Sequence, residues 1–257
     1  MCLILLSYMD HPSYRLILAA NRDEFYDRPT APIGFREEAP HILAGKDLKS
    51  GGTWLGVTKT GRICAITNFR DPASQLTDAP SRGFLVENFL KGNESPQAYL
   101  EKVKKEGGRY NGFNLLAGDQ RGLFCCSNRS DEISEICPGI HGLSNHLIDT
   151  PWPKVEKGKG IFKQILSESS IDQERIFALL SDREMPSDAN LPDTGVGIEW
   201  ERILSPLFIK SEIYGTRSSS IVLFGEKSVT FMERTYVAGG ADETRHETRN
   251  FSVDLHD

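Results

Sequence analysis

No stretch of this sequence holds the roughly 18 consecutive apolar residues that a bilayer-spanning helix needs. The first apolar run, Leu3–Ser7, is too short for a signal-peptide core and has no basic segment before it. A cytoplasmic protein without a transmembrane segment is therefore the expectation. Basic residues form no stripe or polybasic patch, and 30 Lys and Arg are outnumbered by 36 Asp and Glu. That balance excludes nucleic acid and an anionic membrane surface as expected partners. The cysteines number five, an odd count with no disulfide-framework spacing, which suits a reducing compartment. C-x-x-C and H-E-x-x-H are both missing, and adjacent Cys125 and Cys126 on a strand would point to opposite faces. No metal site is expected. The order G-x-x-x-x-G-K-[ST] is absent too, so Gly45-Lys46 and Gly51-Gly52-Thr53 resemble a phosphate loop only superficially.

What the chain does have is a cysteine at its second position. Removal of the initiator methionine would make Cys2 the mature N-terminus, with a thiol and a free α-amine on one residue. An α-amine has a pKa of roughly 7.7–8.0, so near neutrality it is partly unprotonated and can act as base for its own nucleophile. A cysteine is also a small apolar residue that packs well in a core. The catalytic reading therefore needs partners.

Strand-like and helix-like segments alternate in blocks. Met1–Tyr8 and Leu16–Ala20 read as a hairpin, and Gly51–Val57 with Arg62–Thr67 as a second strand pair. Ser81–Lys91 and Ser95–Glu106 carry helical periodicity, the latter opening with Ser95 as N-cap and Pro96 at N1. Asn114–Ala117, Leu123–Ser127 and Ile140–Leu143 read as strands, Gly158–Leu166 and Gln173–Leu180 as helices. Arg183–Gly197 reads as a loop, and Thr216–Phe224 with Ser228–Val237 as a last hairpin. Clustered strands with helix pairs between them favour a layered α+β fold over a βαβ alternation. With 257 residues and no repeat or linker, a single domain over 1–257 is expected, its polar tail from Asp242 to Asp257 fraying.

Polar groups follow several strand-like runs: Asn21-Arg22-Asp23-Glu24, Asn68, Asn145 and Thr216-Arg217-Ser218-Ser219-Ser220. Each alone is an ordinary turn former or surface charge. A nucleophile at a strand tip, however, needs groups to fix its amine, donors for a developing oxyanion and a cation that favours thiolate.

The string Asn21-Arg22-Asp23-Glu24, continuing Phe25-Tyr26-Asp27-Arg28-Pro29-Thr30, resembles the signature of the NRDE family, also called the transport and Golgi organisation 2 family. Gly51-Gly52-Thr53-Trp54, Thr67-Asn68-Phe69-Arg70, Tyr110-Asn111-Gly112-Phe113-Asn114-Leu115, Gly142-Leu143-Ser144-Asn145, Asp149-Thr150-Pro151-Trp152-Pro153-Lys154 and Tyr214-Gly215-Thr216-Arg217-Ser218-Ser219 extend the likeness in order. The family in turn resembles the N-terminal-nucleophile (Ntn) hydrolases of the bile-salt hydrolase and penicillin V acylase branch. That likeness implies a four-layer αββα sandwich of two packed antiparallel sheets flanked by helices. It implies Cys2 as nucleophile, Asn68 and Asn145 as oxyanion donors, Arg22 and Asp23 holding the amine, and Arg217 supplying positive potential.

One departure stands out. In the hydrolases the Arg and Asp are separated, whereas Arg22 and Asp23 are adjacent and would face opposite sides of an extended strand unless a bend or bulge intervenes. Asn21 and Glu24, or one member of the pair with another group, could take the role instead. Trp54 and Trp152 complete the candidate substrate-binding set with Asn21 and Glu24. The expected activity is a cysteine amidohydrolase or acyl transfer on a small amide or thioester, needing no cofactor. It requires Met1 to be removed, because an acylated amine has no basicity. The alternative is a non-catalytic ligand carrier. The resemblance ties eukaryotic family members to haem trafficking and to lipid or acyl-CoA homeostasis. Haem would need an axial ligand such as Cys2 or a histidine, of which His141 and His146 flank Asn145. Nothing in the sequence sets an oligomeric state.

Overall fold

The computed structural model describes residues 3–168, 170–236 and 246–255; Cys2 lies outside them. In chain order the strands are β1 (Leu3–Tyr8), β2 (Leu16–Phe25), β3 (Thr30–Arg36), β4 (Ala39–Asp47), β5 (Leu55–Thr58), β6 (Ile63–Asn68) and β7 (Phe113–Asp119). They continue as β8 (Gly122–Ser127), β9 (Ile133–Glu135), β10 (Gly139–Leu143), β11 (Tyr214–Phe224), β12 (Ser228–Tyr236) and β13 (His246–Asp254). The α-helices are α1 (Gly83–Lys91), α2 (Pro96–Glu106), α3 (Pro153–Leu166), α4 (Gln173–Leu180) and α5 (Ile198–Leu204). The strands make two sheets, of order β10-β1-β2-β11-β12-β13 and β3-β4-β5-β6-β7-β8-β9. The chain divides into two compact units, one of Met1–Asp27, Pro138–Ser144 and Ile148–Ser252, the other of Arg28–Cys137, Asn145–Leu147 and Val253–Asp257.

In the first unit, period-two alternation decides which side chains meet the helices. Leu3 and Leu5 of β1, Ile17 and Ala19 of β2, Ile221 and Leu223 of β11 and Met232 of β12 share one core with Val155, Phe162 and Ile165 of α3 and Ile176, Phe177 and Leu180 of α4. The intervening residues Ile4, Leu6, Leu18, Val222 and Phe231, all buried, occupy the opposite sheet face. Asp172 caps α4 by accepting from the Glu174 and Arg175 amides.

In the second unit, α1 lies on β5 and β6 and α2 on β7 and β8. Leu85, Val86, Phe89 and Leu90 of α1 and Leu100 and Val103 of α2 are buried, the i, i+3, i+4 spacing of a helix with one apolar stripe. Ser95 caps α2 from the position its Ser-Pro opening indicates. Cys125 and Cys126 alternate on β8, as adjacent strand residues must, and both are buried.

Several boundaries differ from expectation. The second strand does not end at Ala20; β2 runs through Phe25, so Asn21-Arg22-Asp23-Glu24 lie within the ladder to β11. The stretch holding β3 and β4 gave no strand signal because Pro32, Gly34, Pro40 and Gly45 interrupt it. Helix α3 starts at Pro153, with Trp152 as N-cap, and short α5 follows the expected loop. The polar tail includes β13, next to β12 in the sheet; its mostly exposed polar sequence carries no apolar alternation to read.

Candidate active site

The described pairing of β1 with β2 ends at Leu3↔Asn21, so Arg22 and Asp23 lie just beyond it on β2. Both are buried, at 4% and 2% exposure. Strand β2 stays regular here, and the pair therefore occupies opposite faces of the sheet. Asn21 and Asp23 are on the helix face with Ile17 and Ala19, whereas Arg22 is on the face of Leu18 and Ala20.

The irregularity falls instead on the neighbouring strand. Thr216 pairs with Asp23 and Ser218 with Arg22, leaving Arg217 as the extra residue of a bulge. Because of that extra residue, Thr216 faces with Asp23 and Ser218 with Arg22, two positions apart on β11 yet on different sides. Thr216 Oγ1 donates to Asp23 Oδ1 at 2.6 Å and accepts from the Ile209 amide at 2.9 Å. Asp23 Oδ2 is buried with no hydrogen-bond partner among the described residues. Arg217 Nη1 donates to the Phe25 and Tyr26 carbonyls at 2.9 and 3.1 Å, so its cation sits at the end of β2.

Asn21 has a structural task. Fully buried, it donates from Nδ2 to the Leu180 and Leu207 carbonyls, each at 2.8 Å, and accepts from Ser219 Oγ at 2.6 Å. Both amide hydrogens are thus used in tying α4 and the 207 segment to the sheet. Glu24, partly exposed, accepts from the Phe25 amide at 3.0 Å. Trp152 occupies the N-cap position of α3 and packs against the core shared by sheet and helices. His141 Nδ1 is 2.7 Å from Asp149 Oδ2, while Asp149 Oδ1 meets Lys159 Nζ at 3.0 Å and the Gly142 amide at 3.0 Å.

In the second unit, Asn68 ends β6 and is joined to Asn145, whose Nδ2 donates to the Asn68 carbonyl at 3.0 Å. Arg70 approaches Asn145 twice: its amide donates to the Asn145 carbonyl at 2.7 Å and Nη2 lies 3.4 Å from Oδ1. Since Arg can only donate, it sets which end of the Asn145 amide is oxygen. Asn114 Nδ2 bonds Thr67 Oγ1 and the His146 carbonyl, holding the segment that carries Asn145. Burial pushes the His146 imidazole below its usual range, and its ring lies 4.8 Å from that of Phe69. Trp54 is 6% exposed and its ring closes on Gly45, where an added Cβ would fall 2.3 Å from it.

Sequence reasoning missed Thr216, Arg70 and buried Glu233. Thr216 and Arg70 stood inside recognised strings without a role; Glu233 had no motif around it. Burial raises the thiols of Cys64 and Cys126, the latter to about 12, and Cys137 is exposed. Among the described residues, no group of three or more His, Cys, Asp or Glu is placed to hold a metal ion. No described helix is long and apolar enough to cross a membrane.

A family profile described as Transport and Golgi organisation 2 matches residues 1–238. A Transport and Golgi organization 2 homolog of Mus musculus is 36% identical over 277 residues, covering 99% of each chain. The Homo sapiens homolog is 36% identical over 277 residues with the same coverage, and the Drosophila melanogaster protein 28% over 268, covering 91% of this chain and 92% of its own. Among solved structures, a Caenorhabditis elegans N-acylethanolamine-hydrolyzing acid amidase ortholog superposes with a TM-score of 0.51 at 10% identity, covering 97% of this chain and 100% of its own. A variant of conjugated bile acid hydrolase from Clostridium perfringens gives 0.54 at 10% identity, covering 98% and 97%. That likeness shows the fold, an α+β arrangement of the Ntn-hydrolase kind.

Proposed function

The chain belongs to the transport and Golgi organisation 2 family, and from that premise we propose that it is an Ntn-type cysteine amidohydrolase or acyl-transfer enzyme acting on a small amide or thioester. One observation carries the reading: Asp23 Oδ2, buried and without a partner among the described residues. A buried carboxylate oxygen left open is costly unless a cation meets it. Cys2 is covalently next to Leu3, whose strand partner is Asn21, two residues from Asp23. Its α-ammonium is the cation the reading supplies.

The opposed faces of Arg22 and Asp23 then fit one residue with two functional groups. The proposal assigns Asp23 to the Cys2 amine and Arg22 to its thiol. The α-amine takes the thiol proton, and Asp23 stabilises the ammonium that forms. Arg22 favours the thiolate, which attacks the substrate carbonyl. The developing oxyanion needs hydrogen-bond donors, each such donor being worth about 10²–10³ in rate. The ammonium protonates the leaving amine or thiol, and water or another nucleophile releases the thioester.

The test is intact-mass analysis after p-nitrophenyl acetate or iodoacetamide, in a Cys137→Ser background that removes the exposed competing thiol. The expected result is loss of Met1 and a single acetyl or carbamidomethyl group on Cys2, absent in Cys2→Ala. Retained Met1 or an unmodified Cys2 overturns the reading, and the chain would then carry a ligand without turning it over.

A further inference from the structure

Arg22 is 4% exposed, and a buried guanidinium needs a counter-charge. Asp23, its neighbour in sequence, is on the other face and bonded to Thr216. The first sheet carries a second buried acid, Glu233 of β12, at 1% exposure. Its face follows from the register. Met232 joins the helix-side core, so Glu233 points the other way; it pairs with Ser220, which pairs with Ala20 of β2. Arg22 pairs with Ser218 in the adjacent same-face row. Only two serines, both buried, lie on β11 between the arginine and the glutamate. Strands β2 and β12 are two spacings apart, about 10 Å, a gap that a long Arg and a Glu bridge over serines and could not bridge over large side chains. The other titratable groups that the described pairings place on this face are Glu24, at the outer end of β2, His141, in the Leu6 and Leu18 row and bonded to Asp149, and Tyr8, in the Leu16 row at the far end of β1.

We propose that Glu233 is the counter-charge of Arg22 and, through it, a positioning residue for the Cys2 thiol. The second half rests on the reading of Cys2 as nucleophile. A carboxylate on Arg22 holds the guanidinium in one place and offsets part of the positive field that favours thiolate.

The experiment uses the full chain with Cys137→Ser and has two readouts. The first is the thermal midpoint of Arg22→Gln, Glu233→Gln and the double variant. The double variant is expected to melt above either single one, because removing both charges leaves none buried alone. Additive losses overturn the pair. The second is the pH profile of Cys2 alkylation by iodoacetamide. Arg22→Gln is expected to raise the apparent thiol pKa by about one unit, Glu233→Gln to lower it, and Glu233→Asp and the double variant to stay near the parent. An unchanged or raised value in Glu233→Gln overturns the positioning role. A parent Cys2 that does not react at any pH overturns the nucleophile reading instead, and the melting cycle still decides the pair.

Discussion

Arg62 in the second unit and Asp23 in the first are both buried charges on sheet strands, and they are treated in opposite ways. Arg62 is saturated. Its Nε and Nη2 donate to the Phe89 carbonyl at 3.2 and 3.0 Å, Nη1 to the Glu94 carbonyl at 2.9 Å, and Asp119 stands 3.8 Å away. The guanidinium also lies 3.9 Å over the Phe89 ring, so the whole group closes the C-terminal end of α1. Asp23 makes one hydrogen bond, to Thr216, and keeps Oδ2 open among the described residues. A saturated buried charge does structural work, whereas one left half satisfied persists only when something outside the described set completes it.

The sharpest way to break the comparison is Cys2→Ala, which should bring acetylation by p-nitrophenyl acetate down to the uncatalysed level while the fold melts as before. Next comes Asp23→Asn. The amide keeps an oxygen for Thr216 but no longer holds an ammonium, so acylation of Cys2 should fall about 10²-fold as the amine loses its position. The thermal midpoint should hold, because an α-amine left without its carboxylate can shed its proton. A lower midpoint with an unchanged rate would make Asp23 structural and erase its contrast with Arg62. Arg62→Met is the mirror experiment: a loss of about 2 kcal/mol in chemical denaturation, with Cys2 acylation unaffected.

The smallest effect concerns Asp149. Burial alone would raise its carboxyl, but bonds from His141, the Gly142 amide and Lys159 outweigh this and bring it down to about 2. A folded pKa below the unfolded one stabilises at pH above the unfolded value and loses that stabilisation as pH falls through the folded value. Asp149→Asn, which tolerates the φ of +56° there, should melt lower at neutral pH by about 0.5 kcal/mol after solvent screening. Thermal scans from pH 7 to 2 should show that gap closing below about pH 4.

The strands with short continuous apolar runs, β1, the inner part of β2, β6, β7 and the end of β11, were legible because both of their faces are buried. Strands β3 and β4 were hidden by prolines and glycines that the structure accommodates with register shifts at Ala31/Gly34 and Phe35/Arg36. In the candidate site, the strings holding Asn21 to Glu24, Asn68, Asn145 and Arg217 were visible, but their tasks were not. Asn21 is polar like its neighbours, yet its task is set by carbonyls 159 and 186 residues away. Glu233 sits in Ser228–Tyr236, where a lone acid looks like any exposed strand residue; only counting from Met232 turns it inward.

The extra residue at Arg217 has a consequence for anyone comparing such chains letter by letter. Sidedness along a strand is a matter of odd and even, and one inserted residue changes the parity of everything before it. Deleting Arg217 would leave an uninterrupted ladder with Thr216 still opposite Asp23, and what would be lost is the cation that donates to the Phe25 and Tyr26 carbonyls. A relative with a gap at this column would therefore keep the setting of its acid and lose the cation beside it.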